Sequence, residues 1–155
     1  MISLTDNDFL PVDECKLAWR WTDPKWALLP EDDLAKMRTV IGGKLTELWY
    51  ELLGWHEKDG RLKSALFAET ESILAEEPEQ EQVKNWLRSR VSNQEQSILI
   101  IWDKQTSIFT TWDIFLKWID DFCYPGSDDI TILPLSKEWI LKYHHEEYFF
   151  FARRR

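Results

Sequence analysis

The chain predicts an α+β fold, a mainly antiparallel sheet packed against several helices in a single domain. Three observations carry this expectation. A continuous β-branched run, Ser97-Ile98-Leu99-Ile100-Ile101-Trp102, reads as a central strand buried on both faces. Apolar residues recur at helical spacing in the first two thirds, and short strand-like runs crowd the last third. A length of 155 residues suits one domain burying roughly 70% of its extended-chain surface.

Residues 1–14 carry four acids and no Lys or Arg, and read as an irregular lead-in. From Cys15 to Trp21 the chain alternates, with Cys15, Leu17, Trp19 and Trp21 on one side, as in a half-buried strand closed by Thr22-Asp23-Pro24. Pro30-Glu31-Asp32-Asp33 is a helix start. The stripe that follows is interrupted by Gly42-Gly43. Two interior glycines cost about 2 kcal/mol relative to alanine, so two helices are expected, near 31–38 and 44–54. Leu62, Leu66, Phe67, Ile73 and Leu74 suggest a helix over 61–76, stopped by Pro78, and Val83, Trp86, Leu87 and Val91 suggest one over 80–91. The join, residues 69–82, holds six Glu and no basic residue; it is either a solvated helix end or a landing site for an electropositive partner.

After the central run, Asp103–Thr106 turns the chain and Ser107–Thr110 pairs back. Thr110 and Asp113 stand in capping-box relation. The helix they open places Trp112, Phe115, Leu116, Ile119 and Phe122 on one face. Pro125-Gly126-Ser127-Asp128-Asp129 is a loop, and strands are expected over 129–133, 138–143 and 147–152, the last two a hairpin around His144-His145-Glu146. Arg153-Arg154-Arg155 reads as a solvated basic tail.

Composition narrows the function. A formal charge of −9 argues against a sequence-independent nucleic-acid binder, which needs clustered Lys and Arg. Cys15 and Cys123 are too few for a disulfide framework and lie in no zinc-type spacing, so two reduced, buried thiols are expected. The N-terminus has no basic n-region and the longest apolar stretch is too short for a bilayer, which points to a cytoplasmic protein without a membrane partner. No GxSxG, GxGxxG or GxxxxGK[ST] occurs, so nucleophile-elbow and phosphate-cradle chemistry, and a cofactor held that way, are not expected.

Ten tryptophans are the outstanding feature, because indoles dominate cores and interfaces alike. Trp19, Trp49, Trp86, Trp102 and Trp112 fall on apolar faces and are expected in the core, whereas Trp26, Trp55, Trp118 and Trp139 are less determined. Trp118, followed by Asp120 and Asp121 at an expected helix C-terminus where the dipole disfavours acids, forms an aromatic-plus-acid grouping with Tyr124, Asp128 and Asp129. His144, Glu146 and Glu147 make a second candidate surface. His144 and Glu146, alternate residues on a strand, are the pair able to share an ion. The readings left open are an acidic recognition patch, a metal- or carboxylate-dependent hydrolase, and a Trp platform for a small ligand or glycan.

The runs Trp118–Ile130, Trp139–Glu147, Lys16–Trp19 and Leu29–Leu34 resemble those of small acidic bacterial proteins that include immunity proteins of secreted toxins. The resemblance covers about half of the chain and carries no invariant functional residue with it. It implies a stoichiometric inhibitor, not an enzyme, that binds a cognate toxin domain bearing a basic surface.

Overall fold

Eight strands pair antiparallel throughout to make one sheet, and helices cover both of its faces. The structure, a computed structural model, describes residues 1–77 and 81–155. The elements are β1 (Phe9–Pro11), α1 (Trp19–Thr22), β2 (Ala27–Leu28), α2 (Glu31–Leu34), β3 (Arg38–Val40), α3 (Gly43–Leu53), β4 (Glu71–Leu74), α4 (Glu81–Arg88), β5 (Ser97–Asp103), β6 (Thr106–Thr111), α5 (Trp112–Lys117), α6 (Ile119–Phe122), β7 (Ile130–Pro134), β8 (Trp139–His144) and β9 (Tyr148–Arg153). The sheet runs β1-β3-β6-β5-β7-β8-β9-β4, while β2 folds back on the end of α1 outside it. The α+β architecture expected from the pattern is present, in one domain.

The β5 run is buried on both sides because the two layers divide its side chains by parity. Ile98 and Ile100 join Ile130, Ile132, Leu141, Phe149 and Phe151 under Trp21, Leu87, Trp112, Phe115 and Phe122 from α1, α4, α5 and α6. Leu99 and Ile101 face the other way with Leu133, Ile140 and Ala152, under Leu45, Leu48 and Leu52 of α3 and the rings of Trp55 and Phe67. Both cysteines are free and buried, and burial pushes both thiols up, Cys123 the further.

Several expectations are corrected. The lead-in is not wholly irregular: β1 pairs with β3, and Pro11 sits on the sheet edge, where its missing N–H is harmless. Cys15–Trp21 is no strand. Cys15 and Ala18 in the turn before α1 and Trp21 within it are the buried apolar residues, a spacing of three that the alternation concealed, and Arg20 is buried beside them. The 31–38 helix stops at Leu34, and Arg38-Thr39-Val40 becomes β3. The break at the glycines is real: Gly42 has φ 93° and α3 starts beside it.

The 61–76 helix is absent among the described residues. Phe67 is buried and bridges Arg154, and Glu71–Leu74 pairs along β9 as the far edge strand. The expected stop at Pro78, the first residue of the 80–91 helix and part of the acidic join lie outside the described residues; α4 occupies 81–88. The stripe Trp112–Phe122 is two helices, broken at Trp118 with φ −118° and ψ 33°. Thr111, not Thr110, opens α5, with its hydroxyl bonded to Asp113, and Thr110 is buried in β6. Arg153–Arg155 is an anchored end rather than a solvated tail. Arg153 closes β9, Arg154 lies over Trp55 at 4.7 Å, and Arg155 Nε donates to the Ser64 and Phe67 carbonyls.

Candidate functional site

The loop 124–129 returns the chain from α6 to β7, and there the expected acids separate into different roles. Asp128 is buried. It accepts two bonds from Arg20, Nη1 to Oδ2 at 2.6 Å and Nη2 to Oδ1 at 3.0 Å. The Tyr124 backbone N–H donates to the same carboxylate at 2.9 Å, and Trp102 Nε1 approaches at 3.4 Å. A bidentate, desolvated pair of this kind is strong only when its surroundings satisfy both ions. Aromatic rings complete that cage: the Arg20 guanidinium carbon lies 3.8 Å from the Tyr124 ring centroid, 5.6 Å from Trp19 and 5.9 Å from Trp102.

The outer walls of the cage form an aromatic surface. Trp19 is 38% exposed, Trp26 56% and Leu28 59%. Trp19 meets Trp26 edge-on at 5.1 Å and Tyr124 at 6.1 Å, both within the range of favourable ring pairing. The turn 23–26 holds Trp26 in place, because Asp23 accepts from the Lys25 N–H and the Trp26 N–H returns to the Asp23 carbonyl. Exposed Glu31 and Asp32 follow directly on α2, and α6, bearing Asp120 and Asp121, lies against α1 through the bond from Trp21 Nε1 to the Asp121 carbonyl at 3.0 Å.

This arrangement revises the site expected from sequence. Trp118 is half-buried, and its Nε1 donates to Asp33 at 2.9 Å beside Lys117, which makes it a clamp between α2 and the α5–α6 joint. The Lys117 bond, acting against burial and helped by Trp118, holds the Asp33 carboxyl below its ordinary value. Asp120 and Asp121 stand in the opening turn of α6 and not at a helix C-terminus, so the dipole argument for them falls away. Tyr124 does reach the surface patch. Of the five tryptophans expected in the core, only Trp112 is fully buried; Trp49, Trp86 and Trp102 are half-buried and Trp19 is exposed, whereas Trp55 and Trp139 are core. The signals missed were Trp19 and Trp26 themselves. A period-three reading of 15–21 puts Trp19 outside, and a turn-borne Trp26 has nothing to bury it.

The second candidate surface also reorganises. Asp129 is exposed and accepts from both the backbone N–H and Nδ1 of His145, at 3.1 and 3.0 Å. Against the upward push of burial, these bonds hold its carboxyl below its ordinary value. One donor atom each from Asp129, His144 and His145 falls within a span of 4.8 Å, a grouping that can hold a divalent ion of the imidazole-loving kind. Glu146 is not part of it: its N–H donates to His144 Nδ1, and Glu147, at φ 72°, closes the turn by donating its N–H to the His144 carbonyl while its own carbonyl accepts from the Ala75 N–H. The pairing of His144 with Glu146 on one strand face is therefore corrected, because His144 ends β8 while Glu146 lies in the hairpin turn.

Comparison with protein-family models, with curated proteins and with solved structures returned no match. Among the described residues no helix is long and apolar enough to cross a membrane.

Proposed function

We propose that this protein is a stoichiometric protein-binding inhibitor of the immunity type, which captures a cognate toxin domain through the Trp19–Trp26–Tyr124 face. The observation that supports it most is the exposed indole pair mounted on a buried, doubly bonded ion pair. Indoles held rigid before binding lose little entropy when covered, and they are the residues that dominate interface energies. Carboxylates around them and a net charge of −9 suit a basic partner, whose approach such a field accelerates.

The test starts from the genes flanking this one: a toxin domain encoded there is titrated calorimetrically with the protein, and the protein is assayed for rescue of growth against it. We expect one-to-one capture at nanomolar affinity, weakened at least tenfold by Trp26→Ala with the melting temperature unchanged. Reversing Asp120 and Asp121 to Lys should chiefly slow association and lessen its salt dependence. Full affinity in both variants would remove this face from the account.

A further inference from the structure

On the opposite face of the sheet, the apolar layer under α3 gives way to a polar row. Antiparallel register aligns Ile101 with Thr131, Thr131 with Lys142, Lys142 with Phe150 and Phe150 with Ser72. Trp49 of α3 and the loop around Arg61 roof this row, leaving a cleft of about 720 Å³. That volume lies in the range of small-molecule sites, which are mainly apolar with a few placed polar groups.

Lys142 is the group that structure alone does not explain. Its Nζ lies 2.6 Å from His56 Nε2, and His56 Nδ1 lies 2.7 Å from the Leu52 carbonyl. A carbonyl only accepts, so Nδ1 carries the imidazole proton and Nε2 is left as a neutral acceptor. Among the described residues no carboxylate stands at ion-pair distance from Lys142: Asp129 at the cleft mouth is bonded to His145, and Asp59 to Arg61. Burial lowers the Lys142 pKa against the opposing pull of the Asp129 charge at the cleft mouth, and burial, then the neighbouring ammonium, lowers that of His56. A half-buried ammonium facing a neutral ring, with Thr131 in register on the next strand and Ser72 beyond Phe150, is a costly element beside the apolar layer under α3.

We propose that this cleft binds a small aromatic monoanion, its carboxylate or sulfonate on Lys142 and Thr131 and its flat body between Trp49 and Phe150. The site is separate from the indole face and does not depend on its function. The anion supplies the close counter-charge that Asp129, bonded to His145 at the cleft mouth, does not, and the rings give the body an apolar slot.

The test uses 1-naphthoate and its uncharged analogue 1-naphthalenemethanol, titrated calorimetrically into the full chain. The expected result is one-to-one binding of naphthoate, with the alcohol at least tenfold weaker. Lys142→Met should lower naphthoate affinity at least tenfold, leave the alcohol unchanged, and melt no earlier than the parent. Lys142→Arg should keep most of the preference for the anion, and Trp26→Ala should have no effect. Equal affinity for the two probes, undiminished naphthoate binding in Lys142→Met, or no binding of either probe at millimolar concentration would overturn the proposal.

Discussion

Arg20 and Lys142 are both cations removed from water, on opposite faces of one sheet, and their environments are opposites. Arg20 has a carboxylate held by two bonds and a ring at 3.8 Å, with its buried Nε left without an acceptor. Lys142 has a neutral imidazole, Thr131 in register on the next strand, Asp129 only at the cleft mouth, and open cleft volume. A buried charge matched by a doubly bonded carboxylate fixes a scaffold; one without a close counter-charge invites a ligand. Trp102 is shared by the two environments, its ring centroid 5.9 Å from the Arg20 guanidinium carbon while it also lines the cleft.

The contrast breaks most sharply at Asp128. Asp128→Ala leaves Arg20 buried without its partner and should cost about 3–5 kcal/mol in urea denaturation, with loss of the ordered aromatic face. The double change Arg20→Met with Asp128→Leu should recover most of that loss, because no charge then remains to be matched. A cost below about 1 kcal/mol for the single change would mean that the cage is not the scaffold claimed here.

Smaller effects sharpen it. Asp33→Asn, which weakens the clamp on Lys117 and Trp118, should cost about 1 kcal/mol. The folded-state pKa of Asp33 is depressed, so its contribution is complete above the unfolded value near 3.9 and disappears as pH falls through the lower folded value. Denaturation midpoints taken between about pH 5 and 2 should therefore converge for Asp33→Asn and the parent at the acid end. Trp26→Ala should change stability by no more than about 0.5 kcal/mol, since the ring is 56% exposed.

The smallest expected effect is at His56, whose folded pKa is also lowered. Stability should be flat above the unfolded value near 6.5 and decline as pH falls towards the lower folded value, because the unfolded chain takes up the proton first. His56→Gln should remove that slope. An unchanged slope would show that the imidazole does not rest neutral against Lys142.

The core strands, the helix at α4, the break at Gly42-Gly43 and the β8–β9 hairpin were legible because each is written in local periodicity or turn chemistry. Residues 15–21 and 61–76 were misread for one shared reason. In each, two spacings fit the same apolar residues, and the choice fell to distant partners: Trp21 docks on the Asp121 carbonyl and α6, and Glu71–Leu74 completes the open edge of β9. The site was half legible. Tyr124 and the acids of the α6 loop were identified, while Asp128 proved to be buried and Trp19 and Trp26 exposed, because which side of a short turn faces water depends on what packs across it.

By itself the sequence determined an acidic, indole-rich α+β chain with a buried central strand, since composition and the parity of side chains along a strand need no knowledge of neighbours. Only the tertiary structure decided which charges are matched. Arg20 and Asp128 stand 108 residues apart, and Lys142 and His56 86. Electrostatic matching depends on distance and desolvation in space, and neither is encoded in local order.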